Sequence, residues 1–389
     1  SFVLGGEKAS LPKEKGIWVS GELPSLDYDQ LDQFLRQAGF LPDKSEKPKS
    51  ESAATSVTVA NQLKEASLQL GQFTLDDFQI DDVQVRLLPQ PQGWLVKSRS
   101  EMLEGQLWLP DNSDVPYALR LDRLTLSKSD EKAVEETVDK SVPKTDVQPK
   151  DLPLIDVDIR ELNVSGKGLG HWQLEVRPTE KGTKFQNIVG QLPGTEVNGE
   201  MSWEQNGSNL SDLTLKLDSN DFSQALSAWG LSEAVETKKL TAYLQLSWDR
   251  VPWDFDLSRA DGVMQFNAQS GRLLDVGQSG NFLRVFGILN LNSLGRRLRL
   301  DFSDLLKSGV AFDKMTGDYK ITKGIAETVE PFVMQGPSSN FVMTGKLDLV
   351  NETVDKDIEV ALPVTGNIPL VSVLLGAPQV AGAVFLFDK

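Results

Sequence analysis

Apolar and polar residues alternate with a period of two along most of the chain, which predicts β-strands with one apolar face. The clearest run is Leu240, Ala242, Leu244, Leu246 and Trp248. Gly, Asn, Asp and Pro residues separate the runs, as hairpin turns require. The pattern therefore predicts a mainly β fold, a long, curved and twisted antiparallel sheet with a few short helices.

Two segments instead have the spacing of an amphipathic helix. The first contains Leu31, Phe34, Leu35 and Ala38, and the second contains the residues Phe222, Leu226 and Trp229. Residues 368–387 are uncharged over the length of a membrane span, but they contain two prolines that would break a helix in hydrocarbon. An apolar loop with short helices, packed on one end of the sheet, is the favoured interpretation of this tail.

A sheet with one apolar face must cover that face or use it. So few helical segments leave two alternatives, a sandwich of two sheets or a trough lined by the apolar face, and large uncovered apolar surfaces are typical of binding sites. Aliphatic walls suit flexible acyl chains. A strand of five to seven residues is about as long as one leaflet of hydrocarbon is thick, so a trough built from such strands could hold an acyl chain. The candidate lining residues are Leu107, Leu109, Leu119, Leu121, Met201, Trp203, Leu213, Leu215, Leu217, Leu240, Leu244, Leu246, Phe341, Met343, Leu347 and Leu349.

The net charge and the scarcity of Cys and His argue against several classes of function. The net charge is −16 and the chain has no Cys and one His, His171. This charge argues against nucleic acid as a partner, because phosphate binding needs clustered cations. The sequence contains neither a G-x-S-x-G motif nor a P-loop, and His171 has no second His for a metal. We therefore expect no catalytic residues, no metal and no cofactor, and interpret the chain as a non-enzyme.

Residues 262–363 carry the most distinctive motifs, among them GRLLD at 271–275, RLRLDFSD at 297–304 and GKLD at 345–348. Together with the apolar tail, these motifs resemble the C-terminal signature of the AsmA-like superfamily. The resemblance implies a long β-taco, anchored in the inner membrane of a Gram-negative cell, that carries phospholipid through the periplasm toward the outer membrane. The missing family anchor suggests a piece of a longer protein.

Three segments follow from these patterns. Residues 1–150 are expected to form a β-groove segment with a short helix and two disordered loops, and residues 151–260 a second one with a short helix. Residues 261–389 would hold the AsmA-like signature, a helix and the apolar tail. That helix would contain Phe282, Leu283, Phe286 and Leu289, and would either gate the groove or pack in the core.

Two functions from different classes remain open at this point. The first is a lipid conduit between the inner and outer membranes, with phospholipid acyl chains as the partner. The second is a scaffold or tether in envelope assembly that carries no lipid. The two differ in whether the apolar face is open, and lipid extracted from the purified protein would distinguish them.

The two expected loops, Pro42 to Ser56 and Lys128 to Lys150, are rich in Lys, Glu, Ser, Asp and Pro and poor in apolar residues. Such stretches bury too little surface to offset their chain entropy. Deleting either loop should therefore change the melting temperature by only a few degrees, measured by circular dichroism. Loss of the folded protein on either deletion would contradict the interpretation.

Overall fold

The computed structural model describes residues 2–4, 16–27, 63–75, 78–126, 148–229, 235–274, 310–337, 340–351, 353–361, 371–375 and 384–386. The chain divides into two compact units. The first unit comprises residues 1–141 and 153–166, and the second comprises residues 142–152 and 167–389.

Strands account for most of the described part of the first unit. Their bounds are β1 (Phe2–Leu4), β2 (Ile17–Leu23), β3 (Leu26–Asp27), β4 (Leu63–Leu75), β5 (Phe78–Gln90), β6 (Gly93–Arg99), β7 (Leu103–Pro110), β8 (Tyr117–Leu126), β9 (Ile155–Ile159) and β10 (Leu162–Val164). Strands β4 to β8 pair in antiparallel order. Strands β2 and β3 add to β4 in parallel, and β9 and β10 add to β8 in parallel.

The second unit is also built from strands. It contains β11 (Lys167–Gly168), β12 (His171–Pro178), β13 (Gly182–Leu192), β14 (Thr195–Gln205), β15 (Asn209–Ser219), β16 (Val235–Trp248), β17 (Asp261–Leu273), β18 (Val310–Thr322), β19 (Ile325–Gln335), β20 (Asn340–Asp348), β21 (Thr353–Ala361), β22 (Val371–Leu375) and β23 (Val384–Leu386). Successive strands from β12 to β23 pair with one another, always antiparallel.

The mainly β fold predicted from the alternation is confirmed. The prediction of antiparallel pairing holds in the second unit, whereas the first unit is mixed because of its parallel strands. Period-two patterning specifies the faces of a strand but not the direction of its neighbour.

One predicted helix is confirmed as α1 (Phe222–Ala228), which joins β15 to β16. Its residues Ala225 and Leu226 are fully buried, and Phe222 packs edge-on against Trp229 at 6.2 Å between ring centroids. The helical segment at residues 31–38 lies outside the described residues. No described helix is long and apolar enough to cross a membrane.

The expected loop from Lys128 to Lys150 needs a correction at its end. Among the described residues, two short 3₁₀ turns occur, Pro149–Asp151 and Leu257–Arg259. In the first of them Pro149 is buried, and its carbonyl accepts a hydrogen bond from the hydroxyl of Thr183 on β13. This buried polar contact ties residues 148–150 to the second unit, and composition alone could not show it.

The alternation of faces is interrupted at matching points of neighbouring strands. In the segment Ile80-Asp81-Asp82-Val83, the two apolar residues share a face although two residues separate them, because Leu70 lies opposite Val83 and Phe73 lies opposite Ile80. We call such a segment a bend tetrad. Seven further bend tetrads are 23–26, 70–73, 121–124, 159–162, 237–240, 268–271 and 312–315. Tetrads on neighbouring strands lie opposite one another in the register.

The register is the same on both sides of each tetrad pair, so neighbouring strands bend together. On β16, β17 and β18, Leu240 lies opposite Ala268, which lies opposite Met315, and the same register continues on the other side of the tetrads. The two central residues point away from the apolar face, as shown by the exposed pair Lys238 and Lys239. A bend of this kind curves the sheet within a unit while keeping its apolar face on one side.

Left-handed backbone marks two of the tetrads, at Asp82 (φ 48°) and Ser270 (φ 53°). A β-branched residue is strained in this region, whereas glycine adopts it freely. We expect Ser270→Val to lower the free energy of unfolding by roughly 1–2 kcal/mol, and Ser270→Gly to leave it nearly unchanged. Urea denaturation measures both.

The matched control is Arg272→Val, at an exposed position of the same strand that also points away from the apolar face. Equal destabilisation by Ser270→Val and Arg272→Val would show that the bend does not depend on the left-handed residue.

Candidate functional site

The register of the second unit places its apolar residues on one face of the sheet, which we call the second apolar face. Leu215 lies opposite Leu244, which lies opposite Met264, which in turn lies opposite Tyr319. Eleven of the predicted lining residues share this face by strand register, and Leu349 packs against the same core: Met201, Trp203, Leu213, Leu215, Leu217, Leu240, Leu244, Leu246, Phe341, Met343 and Leu347.

The first unit has a corresponding surface, the first apolar face. Leu107 lies opposite Leu119, and Leu121 lies opposite Gly105 and Ile159. The four predicted lining residues of this unit, Leu107, Leu109, Leu119 and Leu121, therefore share one face with neighbours that the prediction omitted: Trp94, Val96, Val157 and Ile159.

The second apolar face is covered to different degrees along the sheet. Toward β18, β19 and β20 it is a packed core in which Phe332, Met334 and Met343 are buried. Toward β14, β15 and β16 the apolar side chains are half-buried, and these are Met201, Leu213, Leu215, Leu217, Ala242 and Leu244. An apolar strip that is accessible in part therefore continues from a closed core.

Aromatic rings lie flat on this face above glycines. A Cβ atom on Gly317 would lie 2.6 Å from Cε1 of Phe266 and 2.7 Å from Cε2 of Tyr319, whose rings are nearly parallel at 6.4 Å between centroids. A Cβ on Gly190 would likewise lie 2.7 Å from the Trp172 ring, whose Nε1 donates to the Leu169 carbonyl. Glycine thus lets these rings form a smooth apolar floor. Burial raises the pKa of the Tyr319 hydroxyl, so this group stays neutral.

Hydroxyl side chains end the apolar strip at both ends of its strands. At the helix end, beside α1, Thr195 Oγ1 donates to Ser219 Oγ at 2.7 Å, and Ser219 Oγ donates to the Gly194 carbonyl at 2.9 Å. At the other end, which we call the aromatic end, Ser211 lies between Trp203 and Trp248. The strand from Ser211 to Ser219 spans roughly 26 Å at about 3.3 Å per residue.

The opposite face of the sheet is polar, with exposed side chains such as Glu196, Glu200, Asp212, Lys216 and Asp218. Hydrogen bonds from Asn187 and Gln186 hold the pKa of Glu175 below its usual value, with a further contribution from Arg177. Such carboxylates remain ionised and are poor general acids. The described residues contain no cluster of His, Cys, Asp and Glu that could hold a metal ion.

Sequence analysis did not identify the row that Met264 and Phe266 add to the face, nor two exposed aromatic residues, Trp253 and Phe255. The alternation of Met264, Phe266 and Ala268 could have identified the first group. The candidate gate helix, with Phe282, Leu283, Phe286 and Leu289, lies outside the described residues and stays a prediction.

The described residues define a mainly β protein whose strands have one polar and one apolar face. Part of the apolar face is half-buried, and the described residues of that face include no cluster of ionisable side chains. The chain belongs to the YhdP family, whose description, YhdP protein, matches residues 1–389. The resemblance drawn from the sequence motifs is thereby confirmed.

The chain is also similar to the intermembrane phospholipid transporter YhdP of Escherichia coli (strain K12), with 21% identity over 328 residues. This match covers 83% of the chain and 25% of the relative, so the chain spans about a quarter of that protein's length. No solved structure matches the chain significantly.

The hydroxyl pair at the helix end yields a stability prediction. Ser219→Ala leaves the buried Thr195 hydroxyl without its acceptor, which should lower the free energy of unfolding by about 1–3 kcal/mol. Adding Thr195→Val should restore part of this loss, because no buried hydroxyl is then left unpaired. Chemical denaturation of the two variants measures the difference. A double variant less stable than Ser219→Ala would contradict the pairing.

Proposed function

We propose that the chain is a segment of an intermembrane phospholipid transport protein whose apolar faces carry acyl chains. The observation that carries this proposal is the half-buried row of Leu213, Leu215, Leu217 and Leu244 on a sheet whose other face is polar. Leaving these side chains partly in water costs about 25 cal/mol per Å² of apolar surface, a cost that an acyl chain would remove.

The chemistry of the strip suits a chain without directional groups. The half-buried ring of Phe266 and the aliphatic residues of β15 and β16 offer dispersion contacts and no hydrogen bonds to a ligand tail. Selectivity for one acyl chain is therefore not expected from these residues.

The family relation supports the same proposal, since the Escherichia coli relative is named for intermembrane phospholipid transport. We propose that the chain works in the periplasm as part of a protein anchored in the inner membrane of a Gram-negative cell, with phospholipid as its partner and no catalytic step. The three-segment division of the chain likewise stays a prediction.

The alternative function is a scaffold that carries no lipid. The packed core around Phe332 and Met343 favours it in that part of the sheet, because buried side chains there need no ligand. The two functions therefore make different predictions for the half-buried strip of β14 to β16. A conduit binds lipid there, and a scaffold does not.

Charge substitutions in the strip test the proposal. Leu215→Asp and Leu244→Asp place a carboxylate where an acyl chain would lie, at a cost of several kcal/mol unless water reaches the charge. In an open strip water does reach it, so both variants should fold while co-purifying with less phospholipid and failing to support transport. Mass spectrometry of extracted lipid and circular dichroism are the measurements.

Thr214→Asp and Gln245→Asp are matched controls, because these neighbours point to the polar face on which Asp212 and Asp218 already lie. They should retain the lipid of the unchanged protein. If Leu215→Asp and Leu244→Asp unfold, these leucines are core residues. If they fold and keep all their lipid, this face is not the lipid path.

A further inference from the structure

Exposed apolar side chains of the second unit cluster at one end of its strands. Among the described residues of this unit, six large apolar side chains are exposed, and the one located in mid-strand is Val329. The other five lie at the aromatic end: Leu210, Trp253, Phe255, Ile325 and Val350. The described residues at the helix end include no exposed side chain of this kind. Among the described residues, exposed large apolar side chains thus mark the aromatic end and not the helix end.

The exposed aromatic residues contact the last residues of the apolar face. Trp253 packs edge-on against Trp203 with ring centroids 5.0 Å apart, and Phe255 packs in the same way against Trp248 at 5.1 Å. Trp203 and Trp248 are buried, whereas Trp253 is 56% and Phe255 47% exposed. Two ring pairs thus connect the second apolar face to solvent around the strand ends.

The loop that carries Trp253 and Phe255 is clamped to the strand ends. Ser211 Oγ donates to the carbonyl of Arg250 at 2.7 Å, and Trp248 Nε1 donates to the carbonyl of Val251 at 3.2 Å. Arg250 also forms an ion pair with Asp254 at 2.7 Å. The two exposed rings are therefore presented by an ordered loop, and their exposure is a property of the fold.

Two neighbouring turns extend this surface. The amide of Gly324 donates to the Ala260 carbonyl at 3.3 Å, and Leu349 donates to the Gly324 carbonyl at 2.9 Å. These contacts bring the turns that hold Ile325 and Val350 against the end of the aromatic loop. The loop has three carboxylates, Asp249, Asp254 and Asp256, and two guanidinium groups that pair with them, Arg250 and Arg259. A ligand without net negative charge suits such a surface.

We propose that Trp253 and Phe255 form the portal through which an acyl chain of a zwitterionic phospholipid enters and leaves the second apolar face. This inference rests on the proposed function and adds to it the place of exchange. The favoured occupant is an acyl chain because the rings are continuous with the apolar strip. A protein partner would not need that continuity, and indole rings are favourable at the boundary between hydrocarbon and water.

The test measures lipid loading by the full chain. Protein is mixed with phosphatidylcholine vesicles that contain a fraction of lipid with an environment-sensitive fluorescent acyl chain, and the fluorescence change is followed over time. The variant is Trp253→Ala combined with Phe255→Ala, and the matched control is Val329→Ala, an exposed apolar residue away from the aromatic end. Lipid at saturation is quantified by mass spectrometry.

The double variant should load about tenfold more slowly, the factor that corresponds to about 1.4 kcal/mol, and reach the same amount of lipid at saturation. Val329→Ala should load at the unchanged rate. An unchanged rate in the double variant overturns the portal, and so does a fall in saturation that matches the fall in rate, because the rings would then belong to the storage surface.

A second readout separates lipid from protein at the same position. With p-benzoylphenylalanine in place of Trp253, irradiation in cells should yield adducts with phospholipid, and adducts with protein alone would overturn the proposal. If the unchanged chain loads no lipid at all, the proposed function itself fails. If Leu215→Asp loses lipid while the double variant loads normally, only the portal fails.

Discussion

The constraint on which this structure depends is that each unit must keep its apolar side chains on one side of a sheet that also bends. Strict alternation would keep the faces but favours an evenly twisted strand. The bend tetrads resolve this conflict, because two successive residues point outward and the apolar face continues beyond them. Since the tetrads lie opposite one another on β16, β17 and β18, the hydrogen-bonded register survives the bend.

Much of the fold could be predicted from the sequence because the period of two is a local property. The strands around Leu213, Leu215 and Leu217, the shared face of Leu240, Leu244 and Leu246, and helix α1 all follow from spacing alone. The parallel pairing of β2 with β4 could not be predicted, since it depends on where distant residues meet. Pro149 was wrongly assigned to a disordered loop, because the hydrogen bond that its buried carbonyl accepts cannot be inferred from the composition of the segment.

The bend tetrads had a signal in the sequence that a search for strict alternation does not detect. Ile80-Asp-Asp-Val83, Leu121-Asp-Arg-Leu124, Ile159-Arg-Glu-Leu162 and Phe312-Asp-Lys-Met315 all place two charged residues between two apolar ones. For the candidate site, the sequence identified the residues of the apolar faces. It could not separate the half-buried Leu215 from the buried Trp203, because exposure depends on which neighbours cover each position.

The bend tetrad also bears on how this sequence can diverge. A tetrad depends on the class of side chain at each position and on having two residues between the inward-facing ones. It rarely depends on the identity of a particular residue. Substitution is therefore tolerated, while insertion or deletion of one residue would turn the remainder of the strand over and expose its apolar side. Relatives should thus drift far in identity while conserving strand length and tetrad position, which makes the spacing a more durable marker of common ancestry than the residues themselves.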